Sequence, residues 1–160
     1  MPREVLRTKN AHQYSGSFAL GARGGPFVFI SGMVAAYPDG RMVKNFGDLE
    51  DEEEARAALS TGLWARDWNE GPMMAQTWFI YKNLDKFLRE LGGSLDDIVL
   101  QHVYMKDIKI HWLAHERARS YFFKDRPSAV SSVEITDLVP PEALVEIEVY
   151  AYMPWLDEKK

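Results

Sequence analysis

Between Ala143 and Met153 the chain alternates with a strict period of two. Ala143, Val145, Ile147, Val149, Ala151 and Met153 are apolar, and Leu144, Glu146, Glu148, Tyr150 and Tyr152 fall between them. Successive side chains of a strand point to opposite faces, so this segment predicts a strand with one apolar face under other elements and one mixed face. The rest of the chain has to supply what covers the apolar face. Residues 73–91 shift to helical spacing: Ile80, Leu84, Phe87, Leu88 and Leu91 share one face, and Gly92-Gly93 stops the helix. Residues 98–105 (IVLQHVYM) read as an internal strand, 111–123 as a second helix, and 129–137 as the strand before the last. Near the N-terminus, 14–20 and 26–31 read as a hairpin turning on Gly21, Gly24 and Gly25. The order strands, helix, strand, helix, strands predicts an α+β domain with both helices on one face of the sheet.

Composition narrows the function classes. At 160 residues one domain is expected over 1–160, with a sizeable core and no need of a staple. Cys 0 excludes disulfides, thiolate metal sites and a cysteine nucleophile. A net charge of −5 disfavours phosphate-driven nucleic-acid binding. The charged start MPREVLRTKN has no apolar run of a secretory signal, and no stretch suits a membrane span, so a cytoplasmic protein is expected. The mixed face, with its Tyr, Val and Leu, is expected to pack against other subunits, with the carboxylates lining clefts there.

FVFISG (27–32), AQT (75–77), NLDKFLRELGGSLDDIV (83–99), VYMKDI (103–108) and LVEIEVYAYMP (144–154), with Tyr14-Ser15, resemble the RidA or YjgF-like family of reactive-intermediate deaminases, also called the endoribonuclease L-PSP family. The resemblance covers most of the chain apart from about residues 47–72, an inserted segment. It implies a chorismate-mutase-like subunit with a mixed sheet, a homotrimer, and three small-molecule clefts between subunits. It further implies hydrolysis of imines and enamines to ketones and ammonia, with no metal and no organic cofactor. Residue by residue, it implies a cleft role for Tyr14 and for Ser31-Gly32, and it makes Glu146 the acid that positions water. Ser132 stands where many members have a small residue or Cys. Val130 stands where members carry an arginine that holds the substrate carboxylate.

Valine offers neither charge nor paired donors, so the usual grip on a 2-imino acid is absent at that position. The expected substrate is therefore one without that carboxylate, or one held by other groups; Arg126, four residues upstream, is a substitute if its loop folds inward. A non-catalytic ligand-binding or regulatory trimer is the alternative reading. Trp64 and Trp68 in the insertion read either as packed on the subunit or across the trimer, or as an aromatic lid. His111 and His115 lie i, i+4, but no third ligand accompanies them, and they read as a solvent-facing or capping pair rather than a zinc site. His102 reads as a satisfied core or interface histidine. Ser132 has no adjacent base and no G-x-S-x-G elbow, which argues against a serine hydrolase.

Overall fold

The computed structural model describes residues 3–9 and 17–158; Tyr14 lies outside the described residues. Six strands form one sheet in the order β1-β2-β3-β6-β4-β5: β1 Glu4–Leu6, β2 Gly21–Gly24, β3 Phe27–Met33, β4 Ile98–Met105, β5 Ala129–Glu134 and β6 Val145–Tyr152. All neighbours are antiparallel except β4 and β5, so the sheet is mixed. Among the described residues the α-helices are α1 Glu52–Leu59, α2 Trp64–Glu90, α3 Ile108–Phe123 and the short α4 Trp155–Glu158. α2 and α3 pack on one sheet face, where Val145, Ile147, Val149 and Ala151 of β6 are fully buried with Trp78, Tyr81, Leu84 and Phe87 of α2.

Several boundaries differ from the sequence reading. The hairpin forms from β2 and β3 around Gly25-Pro26, so Gly21 and Gly24 belong to a strand and only Gly25 takes the left-handed conformation, φ +59°. α2 begins nine residues before the expected start, running through Gly71 and Pro72, two residues that ordinarily break a helical pattern. α3 begins at Ile108, directly after Asp107 with φ +45°. β4 lies between β6 and β5, so the last two strands in sequence are not neighbours in space. β5 ends at Glu134 instead of continuing to 137, and the loop to β6 is anchored by the buried Gln76, whose amide donates to Val43 and Glu142 carbonyls and accepts from the Leu144 N–H.

Trp64 and Trp68 open α2 and remain 78% and 72% exposed, stacked against each other at 5.9 Å. They do not pack into their own subunit. His115 departs from expectation in the opposite sense: it is fully buried, its Nδ1 3.1 Å from the Thr77 hydroxyl. Burial, then the charge of Arg119, holds its pKa down at about 3 against an ordinary 6.5. The unfolded chain binds that proton below its ordinary value and the folded one does not, so stability present at neutral pH is lost as pH falls from 6.5 toward 3. In urea titrations at about pH 7 and about pH 4.5, His115→Gln is expected to lose less stability between the two pH values than the natural chain. An equal loss in both proteins contradicts a buried neutral imidazole.

Candidate active site

The pleat divides the sheet into rows. Leu6, Gly21, Ile30, Val149, Gln101 and Val130 pair successively across all six strands, and the first five are buried. Val5, Ala22, Phe29, Tyr150, Leu100 and Ala129 form the adjacent row on the other, open face. Paired residues share a face, so the helix-covered side holds Val130 and, opposite the fully buried Val103, Ser132. The open side holds Glu146 opposite Tyr104, Glu148 opposite His102, and Ala129, Ser131 and Val133 of β5.

On the open face Glu146 is half-buried beside the main chain of β3. The β3–β6 register shifts between Ile30 and Met33, which places Ser31-Gly32 in an irregular stretch beside the acid. A Cβ at Gly32 would stand 2.0 Å from Glu146 Oε1 and 2.6 Å from its Cδ, so only glycine allows this approach. Ser31 is fixed by its own loop: its hydroxyl donates to the Ala19 carbonyl at 2.8 Å, and its N–H donates to the Leu20 carbonyl. A cleft of about 530 Å³ lies alongside, lined by Phe18, Phe29, Ser31, Glu148 and Tyr150 among others.

The two acids have different surroundings. Glu148 accepts hydrogen bonds from the Tyr104 hydroxyl at 3.2 Å and from the Tyr150 hydroxyl, and His102 Nδ1 lies 3.8 Å away. The carboxylate pushes the Tyr150 phenol up to about 12 and, with burial as the larger cause, raises Tyr104 as well. Glu146 accepts no such hydrogen bond among the described residues; burial, then the charge of Glu148, raises its carboxyl above the usual range. One acid is thus held by phenols while its neighbour is poised to take a proton, an arrangement suited to general acid–base work.

The structure brings Glu146, Ser31 and Gly32 together and separates them from Val130 and Ser132, which lie on the other face of the same sheet. Arg126 points elsewhere, 68% exposed and paired with Asp96 at 3.2 Å, so it does not fold inward to replace an anchor. His102 is neither core nor buried; it joins the open-face cluster. The roles of His102 and Tyr104 were accessible in principle from the alternation of IVLQHVYM, which puts Leu100, His102 and Tyr104 on one side. Among the described residues no group of three His, Asp or Glu side chains is arranged to hold a metal ion.

Residues 61–153 match the family model described as Endoribonuclease L-PSP. A RutC family protein of Pyrococcus horikoshii is 30% identical over 151 residues, covering 94% of this chain and 98% of that protein. The chain belongs to the RidA/YjgF family. The solved structure of a candidate endoribonuclease from Klebsiella pneumoniae superimposes with a TM-score of 0.78 at 27% identity, covering 86% of this chain and all of that one. The 3-aminoacrylate deaminase RutC of Acinetobacter baylyi is 30% identical over 83 residues, 52% of this chain and 64% of that protein. The RidA fold, a mixed sheet with helices on one face, is the one found here.

Gly32→Ala tests the close approach. The added methyl meets the flexible Glu146 side chain, which can turn aside, and the expected result is Glu146 moved from its position at a modest cost in stability. A crystal structure of the variant with Glu146 unmoved and an unchanged melting temperature contradicts it.

Proposed function

We propose that this RidA-family chain hydrolyses imines or enamines, releasing ammonia, as a cytoplasmic homotrimer whose clefts are shared between protomers. The observation that carries the reading is the Glu146 carboxyl, desolvated, raised in pKa and set against the Gly32 main chain. The 3-aminoacrylate deaminase relative supports the same class of reaction.

In the proposed step the imine enters protonated, and Glu146 accepts a proton from water as the water oxygen attacks the C=N carbon, forming a neutral carbinolamine. Glu146 returns that proton to nitrogen, the C–N bond breaks as ammonia leaves, and the carbinol O–H gives its proton back to the Glu146 carboxylate as the ketone C=O forms. An enamine enters the same route after protonation at carbon gives the imine. Tyr104 and Tyr150 keep Glu148 supplied with donors, so it remains the neighbour that raises Glu146.

Two unlike surfaces support the assembly. The open sheet face exposes Val5, Phe27, Phe29, Val133 and Tyr152, and α3 exposes Ile110, Trp112, Leu113 and Tyr121. Different patches that pair head-to-tail close into a ring when the rotation fits, and three copies form the smallest such ring beyond a dimer. That pairing sets the Glu146 face of one protomer against α3 of the next. Val130 leaves β5 without a guanidinium at that position, so the substrate is one without the 2-imino acid carboxylate or one that other groups hold.

The test is ammonia release from freshly generated imines. Glu146→Gln is expected to lower kcat by about a hundredfold or more with the trimer intact. In the natural protein kcat should fall as pH drops through a value above the ordinary carboxylate pKa of 4.5, because the working base is the ionised form. A monomer in solution, or full activity in Glu146→Gln, contradicts the proposal.

A further inference from the structure

The first turns of α2 border a second cavity. Trp64, Trp68, Gly71 and Pro72 follow at i, i+4, i+7 and i+8 and so share one face of the helix. Two bulky side chains give way to two small ones along that face, and all four line a cavity of about 650 Å³, the size of a small-molecule site. It shares no lining residue with the cleft beside Ser31. Phe46 is the buried part of its lining; a Cβ on Gly71 would stand 3.6 Å from the Phe46 ring, so helix and ring are in contact. The two indoles, 5.9 Å apart and inclined by 31°, touch each other with no room for a ring between them. They form a single platform whose outer faces are open.

Beyond the aromatic rings the lining is cationic. Arg56 of α1 lies over the Phe46 ring, 5.0 Å from its centroid, and Lys44 also lines the cavity. Arg56 gives its Nε to Glu52 at 2.7 Å, and Lys44 is 3.8 Å from Glu142, but neither acid lines the cavity, so the counterions sit outside it. The acid in the lining, Asp67, is fully engaged. Its two oxygens accept from the Ser60 and Thr61 hydroxyls and from the Thr61 and Gly62 N–H groups, which fills a carboxylate's lone pairs. These bonds, the Ser60 hydroxyl first, hold its carboxyl down at about 2. They also pin the turn between α1 and α2, where Gly62 takes φ +74°, and so fix the start of the helix that carries the indoles. The cavity therefore offers a ligand two π faces and two cations.

We propose that this cavity is a second ligand site, separate from the hydrolytic cleft, and that its ligand is a planar aromatic carboxylate whose ring stacks on Trp64 and Trp68 while its anionic group meets Arg56 and Lys44. An indole face gives a flat ring both apolar burial and stacking. A guanidinium pairs with a carboxylate through two parallel N–H donors, and with only Nε on Glu52 the terminal edge of Arg56 remains for that contact. A cationic ring would meet Lys44 and Arg56 as like charges, and an aliphatic anion would leave the indoles unused. The site stands whether or not Glu146 hydrolyses imines.

Calorimetry with 2-naphthoate tests it, beside 2-naphthylmethanol, which keeps the ring without the charge, and cyclohexanecarboxylate, which keeps the charge without the ring. The natural chain is expected to bind 2-naphthoate about tenfold or more tightly than either. Trp64→Ala with Trp68→Ala, and Arg56→Gln with Lys44→Gln, should each weaken 2-naphthoate by about tenfold or more. All four side chains are exposed, so both double variants keep the fold. Glu146→Gln should leave the affinity unchanged, since Glu146 lies on the other face of the sheet from α2. The site is overturned if the natural chain does not bind 2-naphthoate or does not prefer it to the two controls. It is equally overturned if binding survives loss of the indoles or of the cations, or is abolished by Glu146→Gln. Self-association of the natural chain that disappears in Trp64→Ala with Trp68→Ala, measured by sedimentation, gives the platform to a second copy and also overturns it.

Discussion

The pleat of β6 is the constraint on which the rest depends. Its odd positions are fully buried under α2 and α3, and the period of two then forces Glu146 and Glu148 onto the opposite face. Because register carries the division through β4 into β5, Val130 and Ser132 are committed to the helix side by the same alternation. No side-chain rotation crosses a sheet. The exposed aromatics of the open face and of α3 are unlike surfaces, which the proposed assembly would bring together.

The second consequence is electrostatic. Two carboxylates two residues apart on one strand sit on a partly desolvated face, a costly arrangement unless one is compensated. Tyr104 and Tyr150 compensate Glu148. Glu146 is left with burial and a charged neighbour, and both favour its protonated form. The difference between the two acids comes from what each strand neighbour presents: a phenol pair for one, and the bare main chain of Gly32 for the other.

Much of this was legible in the residues. The alternation of 143–153, the helical spacing of 80–91 and the run 98–105 gave the elements and their exposed and buried faces, and LVEIEVYAYMP with FVFISG identified the family and pointed to Glu146 as the candidate acid. What was not legible was lateral order. Sequence adjacency suggested that 129–137 neighbours the last strand, whereas β4 intervenes, a long-range pairing that no local pattern encodes. The face of β5 was equally hidden, since AVSSVE carries small or apolar residues on both sides. Of the readings offered for Trp64 and Trp68, only packing on their own subunit is removed, since both stand clear of it.

Coupling between assembly and turnover tests the shared cleft most directly. Leu113→Glu places a charge on the exposed side of α3, away from the Glu146 carboxyl, and is expected to give monomers that release no ammonia from freshly generated imines. A monomeric variant that turns over imines as fast as the natural assembly shows that one protomer carries the whole cleft, and the account is wrong.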